Sequence, residues 1–399
     1  MKVVMVCEFY DEKLEYQDNL LAKYYIANGH DVTIITSTIA SVFDYVKDQD
    51  RGRGDAKAYD GAEGKVIRLP FRVNLLNRIK IFPSLMAILE AEKPDLLFFH
   101  DIIPNIVEGA AYIRRHPHAK MIMDYHADYS NSGKGWLSLK VLHGIVRKAF
   151  LRAAQRQISG FFPIVPAAAE FLHEVYGIDP ARMELLPLGT DLKFGAAVQM
   201  AGAGPALRKQ LGIAEDAFVV FCGGKLNPLK GTEHLIDAVR SIDDARLRLL
   251  VVGVVEPSEA AYGEMLTQRA GGDPRILFRG WQDRASVYAH LDASDVAVFP
   301  ASQSVLWQQA IGMGLPVVLG ETSDIQPHRQ NAGYLNLHEN LIVLDPSKPR
   351  GPEIARHISA LMSDPERVDR MSEGARKTAA EILDWDKLIE KTLQYNLVS

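Results

Sequence analysis

Residues 218–239 read FVVFCGGKLNPLKGTEHLIDAV: an apolar run, a Gly-Gly turn, Lys225 and Lys230 five apart, then the opening of an amphipathic helix. That order brings backbone N–H groups, two ammonium groups and a helix N-terminus to one spot, which suits a phosphate or diphosphate. Gly223 and Gly224 would let the backbone approach the ligand closely. The turn is not a Walker A motif, because no Gly-Lys-Ser/Thr opens the helix. The expected ligand is a nucleotide or a nucleotide-sugar.

Other residues stand where chemistry could occur. His126 and Asp128, in DYHADYS, follow the apolar run Met121–Asp124. A lone histidine is more often structural, but a strand's carboxyl end in a parallel sheet faces the ligand crevice. Tyr16, Gln17 and Asn19 follow the first strand and either touch a ligand or cap a helix. Amides near Ser304 and Val305 could meet a diphosphate, or Ser304 could simply cap a core helix. Trp281, after Gly280, either flanks a base or is half-exposed core. Asp48-x-Asp50 sits in a polar stretch with no strand before it, so no metal site is expected there. No other His/Asp/Glu group shows metal-ligand spacing, and metal independence is the expectation.

The elements that must position these residues alternate in βαβα order. Apolar runs at Lys2–Cys7, Asp31–Thr36, Val66–Leu69, Asp95–Phe99, Lys120–Asp124 and Phe161–Val165 read as strands. Helical periods fall between them, at Asn19–Asn28, Leu85–Ala91 and Leu137–Gln157. Residues 41–64 are polar and Gly-rich and read as a long loop. Residues 188–204, LGTDLKFGAAVQMAGAG, are small and aperiodic and read as a connection between domains. A second series follows, with strands at Ala217–Phe221, Arg246–Val252, Arg275–Phe278, Asp295–Phe299, Pro316–Leu319 and Leu341–Leu344. Residues 352–397 read as nearly all helix. This predicts two doubly wound Rossmann-like α/β domains facing across a ligand cleft, with C-terminal helices packing back on the first. The expected bounds are 1–188 for the N-terminal domain, 189–205 for the linker, 206–380 for the nucleotide-binding domain and 381–399 for the returning helix.

Composition narrows the classes. At 399 residues the chain suits two cores, and 47% apolar with 24% charged residues is that of a globular protein. A net charge of −5 argues against a general nucleic-acid binder. Cys7 and Cys222 sit in apolar runs and read as buried thiols, not as a disulfide framework or a structural zinc site. The opening MKVVMVCEFYDEK lacks a long apolar core, and no apolar run approaches 18 residues, so neither a secretory signal nor a membrane-spanning helix is expected. The expected compartment is the cytoplasm.

In the order of its fragments, the chain resembles the retaining glycosyltransferases of family 4 (group 1), which have the GT-B fold. LLPLGTDLKF is similar to that family's hinge signature, and GGKLNPLKGTEHLIDAV to its donor-diphosphate loop. FRGWQDRASVYAHLDASDVAVFPAS, QQAIGMGLPVVLG and LMSDPERVDRMSEGARKTAAEILDW resemble three later segments. ANGHDVTIITS and YQDN extend the likeness into the first half. The resemblance implies sugar transfer from a UDP- or GDP-sugar to a hydroxyl in polysaccharide or glycolipid assembly, with no further cofactor. It implies that Lys225 and Lys230 meet the diphosphate, Gln309 the ribose and His126 the sugar.

The sequence also departs from the family. Lys225 stands where the family has Arg, and Gly-Gly is missing near Tyr16. The family's paired glutamates fall on Ala301 and Gln309, and its Gly-Phe-Gly on Ser302, Gln303 and Ser304. These departures keep open a non-catalytic sugar-nucleotide-binding partner subunit; a GT-B nucleotide-sugar epimerase is a further alternative.

Basic residues recur on the long helix at Lys140, Arg147, Lys148, Arg152 and Arg156, among Trp136, Leu139, Leu142, Ile145 and Phe150. Arg68, Arg72, Arg78 and Lys80 lie upstream. They form either a solvated face or a peripheral contact with anionic lipid at the inner face of the plasma membrane, near a membrane-borne acceptor.

Overall fold

The computed structural model describes residues 1–12, 16–39, 54–133, 135–301, 304–322 and 331–394. Asp48, Asp50, Ser302 and Gln303 lie outside the described residues. The chain divides into two compact units. The first is Met1–Pro187 with the described residues from Trp385 onward; the second is Leu188–Asp384.

The first unit is built on β1 (Lys2–Val6), β2 (Asp31–Ser37), β3 (Lys57–Gly61), β4 (Gly64–Leu69), β5 (Val73–Leu75), β6 (Ile79–Ile81), β7 (Leu96–His100), β8 (Lys120–Tyr125) and β9 (Ile158–Pro163). Seven of them form one sheet, in the order β3-β4-β2-β1-β7-β8-β9. Neighbours pair in parallel except β3 with β4. The central strands are nearly continuous Val, Ile, Met and Phe because both faces are covered. The chain passes from β1 outward to β2 and β4, then crosses to β7 on β1's other side. The carboxyl ends of β1 and β7 are therefore the topological switch point of this sheet.

Residues 54–64 are not all loop, for β3 turns back on β4 as an antiparallel edge hairpin. β3 is mostly exposed and polar, so hydrophobic periodicity could not report it. The small hairpin β5–β6 escaped notice because three residues per strand carry no period. The long basic segment is continuous helix, wound with i→i+5 turns over Leu137–Arg147 and as α-helix over Lys148–Ala154.

The second unit has β10 (Phe218–Lys225), β11 (Leu247–Val254), β12 (Ile276–Gly280), β13 (Val296–Phe299), β14 (Val317–Leu319) and β15 (Leu341–Val343). They form an all-parallel sheet in the order β12-β11-β10-β13-β14-β15. Here the switch point lies between β10 and β13.

The stretch after Leu188 is helical rather than aperiodic, with helices at Leu192–Met200 and Ala203–Gln210. Asp191 caps the first, accepting from Phe194 N at 3.0 Å. Its glycines serve close packing instead of a linker: a Cβ on Gly195 would meet Met313 Sδ at 2.8 Å, and one on Gly204 the Asp292 backbone at 2.5 Å. At the other end, helices Arg350–Met362 and Pro365–Thr378 belong to the second unit, and Trp385–Gln394 to the first. Trp385, Leu388 and Ile389 are buried there with Leu21, Tyr24 and Tyr25.

Candidate functional site

The phosphate-loop candidate stands at the second sheet's switch point. β10 ends at Lys225 beside β11, with Gly224 in register with Gly253. The two backbones are so close that a Cβ on Gly253 would lie 1.9 Å from Gly224 O, at a φ of +155°. Gly224 itself has φ +117°, and a Cβ there would reach Ser304 Oγ at 3.5 Å. A Cβ on Gly231, at φ +62°, would touch the Ala301 side chain at 3.4 Å. The turns after β10 and β13 thus converge on one small region, bringing Gly224, Gly231, Ala301 and Ser304 together.

Both lysines border this region and differ in character. Lys225 is half-exposed and pairs with Glu256 Oε1 at 3.0 Å. Lys230 is partly buried, and the loss of water around its ammonium pulls its pKa down from 10.5 to about 8, opposed by a smaller contribution from Cys222. Lys230 closes a short turn after Asn227, whose side chain accepts from Leu229 N at 3.1 Å. The helix Thr232–Ser241 then begins, but its first amide is taken, as Thr232 N donates to Tyr262 Oη at 3.2 Å. What this turn can offer an anion is therefore lysines and turn backbone more than the helix terminus.

Ser304 Oγ accepts from Leu306 N at 3.3 Å, holding the turn that leads into the helix Leu306–Gly312, and Val305, the N-cap position, is exposed beside it. Gln309 lies one helical turn on, and its Oε1 is buried with no hydrogen-bond partner among the described residues. A donor hydroxyl would satisfy that atom. Gly280 has φ +64° and ends β12. Trp281 is 72% exposed, which removes the reading of it as core. Cys222 is buried and free, and burial pushes its thiol up to about 12.

In the first unit His126 does stand past the carboxyl end of β8, within a polar group that the sequence did not disclose. Asp124 Oδ2 lies 3.2 Å from His126 Nε2 and 2.9 Å from His100 Nδ1. Asp101 N donates to Asp124 Oδ1 at 3.2 Å. Asp18 Oδ1 approaches His100 Nδ1 at 2.9 Å. Despite burial, these two carboxylates hold His100 well above its usual pKa, and the two histidines hold Asp124 far below the carboxylate range. His100 was missed because sequence alone does not show that β7 lies beside β8 with His100 opposite Asp124.

Other predicted residues turn out to hold the fold. The Asp128 carboxylate accepts from Ser130 N at 2.7 Å and Asn131 N at 3.0 Å, closing its own loop. Asn19 Oδ1 accepts from Tyr16 N at 3.2 Å, and its amide donates to Asp11 O and Glu63 Oε2, so it caps the helix Gln17–Ala27. Tyr16 is 53% exposed, while neither polar atom of the buried Gln17 side chain has a partner among the described residues.

The basic set divides in the same way. Arg68 is buried and donates to Ser37 O and Tyr10 O, Lys80 pairs with Glu8, and Lys148 donates to Val175 O. Arg72, Arg78, Lys140, Arg152 and Arg156 remain exposed. With them stand Trp136 and Leu137, each 70% exposed, and Ile145, Leu75 and Leu76. Arg147 Nη2 donates to Arg78 O at 3.5 Å, so the long helix touches the turn of the β5–β6 hairpin. No helix among the described residues is long and apolar enough to cross a membrane.

Comparison with known proteins agrees with this architecture. A model of "Glycosyltransferase Family 4" matches residues 19–194, and one of "Glycosyl transferases group 1" matches residues 205–378. A D-inositol 3-phosphate glycosyltransferase of Xylanimonas cellulosilytica is 28% identical over 55% of this chain and 52% of its own length. The lipopolysaccharide core biosynthesis glycosyltransferase LpsD of Rhizobium meliloti is 29% identical over 44% of this chain and 48% of its own. The chain thus spans about half the length of the curated relatives it matches.

Among solved structures, HepE of Anabaena in complex with UDP superposes with a TM-score of 0.68 over 99% of both chains, at 18% identity. WaaG, a glycosyltransferase involved in lipopolysaccharide biosynthesis, does so at 0.63 over 100% of both chains, also at 18% identity. These likenesses fix the fold as GT-B. With family models matching both halves and the expected order of strand, glycine-lysine turn and helix in place, the chain belongs to the family 4, group 1 glycosyltransferases.

Proposed function

We propose that this protein is a retaining glycosyltransferase that moves a sugar from a UDP- or GDP-sugar to a hydroxyl of a glycan or lipid-linked acceptor in cell-surface polysaccharide assembly. The observation that carries this is the pair Lys225 and Lys230 beside glycines with positive φ at the carboxyl edge of β10. The acceptor hydroxyl oxygen forms a bond to the sugar C1 as the bond between C1 and the diphosphate breaks, which leaves that bond's electron pair on the phosphate oxygen. The two lysine ammonium groups stabilise that charge without a metal, and the oxygen then takes the acceptor's proton. Gln309 supplies a buried acceptor for a ribose hydroxyl, and His126 contacts the sugar. HepE, which shares this fold, has been solved in complex with UDP-glucose, and that supports a nucleotide-sugar donor here. The basic and apolar face of the long helix and β5–β6 hairpin suits a peripheral approach to an anionic membrane from the cytoplasm.

A thermal-shift screen of UDP, GDP, ADP and their sugars on wild type and Lys230→Ala tests the donor site. One nucleotide should raise the melting temperature of the wild type and fail with the variant. A variant that still binds UDP and GDP normally would refute the diphosphate assignment. The buried Ala301, where the family has glutamate, favours one rival, a partner subunit that binds nucleotide without turnover. Nucleotide binding with no sugar transfer to any glycan or lipid acceptor would establish it.

A further inference from the structure

Two stretches of the first unit are free of acidic residues. Residues 64–89 hold five Lys and Arg with no Asp or Glu, and residues 135–157 again hold five with none, in a chain that has 50 acidic residues. Both stretches also expose large apolar side chains. On the long helix Leu137, Val141 and Ile145 recur every fourth residue behind Trp136, and all four are exposed. The exposed positions continue through Ala149 to Arg152 and Arg156. A face turned only to water would be polar along its whole length. More telling is the turn of the β5–β6 hairpin. Arg78 N donates to Leu75 O at 3.0 Å, closing a turn whose central residues, Leu76 and Asn77, have φ of +52° and +57°. Turns of this hand favour Asn and Gly, because a branched or bulky side chain is crowded at positive φ. Asn77 suits its place, and Leu76 does not. Leu76 is nevertheless 83% exposed and Leu75 54% exposed, so little packing within the chain offsets the conformational cost.

We infer that the β5–β6 turn is a wedge that inserts Leu75 and Leu76 into the acyl layer of an anionic lipid bilayer, with the start of the long helix as its second anchor. Acyl chains would bury the two leucines that the chain leaves in water. Trp136 suits the boundary between acyl chains and headgroups, where an indole is half apolar and half polar. Arg72 and Arg78 flank the turn, Lys140 follows the helix start, and all three are exposed. Their long side chains can reach lipid phosphates while the apolar groups enter. The turn lies against the helix, since Arg147 Nη2 donates to Arg78 O. Charge complementarity favours an anionic surface, for neither element carries an acidic residue to repel one. The insertion rests on the peripheral membrane approach proposed above and names the segment that enters.

Cosedimentation of the full-length protein with lipid vesicles, with no nucleotide or acceptor present, tests the insertion. Wild type should bind vesicles of phosphatidylcholine with about one-third phosphatidylglycerol at least about tenfold more tightly than vesicles of phosphatidylcholine alone. Leu76→Asn should weaken that binding by about tenfold or more, the effect of losing one buried leucine. The same substitution should raise the melting temperature by on the order of 1–3 °C, because Asn tolerates the left-handed turn. Weaker binding by a more stable variant cannot come from misfolding. Arg72→Gln combined with Lys140→Gln should also weaken binding by about tenfold. Equal vesicle binding by wild type and Leu76→Asn would overturn the insertion. A lowered melting temperature would show that Leu76 packs within the chain, and would overturn it too. A wild-type dimer that becomes monomeric in Leu76→Asn, with vesicle binding unchanged, would assign the turn to a second copy instead. Wild type that ignores both kinds of vesicle yet transfers sugar to a soluble glycan would overturn the insertion and leave the transferase reading standing. Vesicle binding without sugar transfer to any acceptor would do the reverse.

Discussion

At the proposed donor site, Lys230 should set the pH behaviour. Its ammonium titrates near 8 in the folded protein instead of 10.5, because burial disfavours the charged form. A depressed lysine is charged in both states at low pH, where the folded state holds the charge less well. That cost is full below about pH 8 and is relieved as pH rises toward 10.5. Diphosphate binding at the proposed site should follow the opposite course, since the ammonium attracts it and the neutral amine does not. The UDP-induced thermal shift should therefore fall between about pH 7 and about pH 9 and hold steady in Lys230→Arg. An equal pH slope in both proteins would place the titrating group elsewhere. Gln309 gives a second residue-scale prediction. Gln309→Glu puts a charge where Oε1 has no partner among the described residues, so the melting temperature should fall without ligand. Saturating donor nucleotide should recover most of that loss if ribose hydroxyls are the missing donors, and none of it otherwise.

Among the elements, the β10–β11 pair is the most demanding. Gly224 and Gly253 are in register, and the space between them holds no side chain. A methyl group on Gly253 would overlap Gly224 O at a φ that L-residues avoid. Gly253→Ala should cost at least about 2 kcal/mol and weaken nucleotide binding as the Gly224 turn moves. Chemical denaturation with and without UDP separates the two effects; a variant as stable as wild type would show that the strands can part. The first unit's helix Gln17–Ala27 shows how an element can be read rightly for incomplete reasons. Its apolar residues do mark a helix, but its start is set by Asn19 accepting from the Tyr16 amide. The long basic helix was also visible, while the inward turn of Lys148 toward Val175 O was not.

The chain crosses between its two units twice, after Pro187 and before Trp385. The first unit is therefore completed by residues nearly two hundred positions beyond its main segment. Trp385 is 1% exposed, Tyr25 Oη lies 2.5 Å from Thr392 Oγ1, and Lys391 Nζ donates to Leu185 O at 3.0 Å. Trp385→Ala should destabilise the first unit by about 3–5 kcal/mol. Denaturation followed separately for the two units should show the second little changed; equal loss in both would contradict this division of the core. The sequence by itself determined the alternation of strand and helix, the division into two α/β units and the glycine-lysine turn. Each of these is local, set by periodicity, glycine conformation and charge spacing within some twenty residues. Tertiary structure alone decided which strands are neighbours, and hence the switch points. It set His100 against Asp124 and Asp18, turned Asp128 and Asn19 to holding loops, and separated the exposed arginines from the buried ones. Those outcomes depend on pairing between segments far apart in the chain, and no local pattern of residues carries that information.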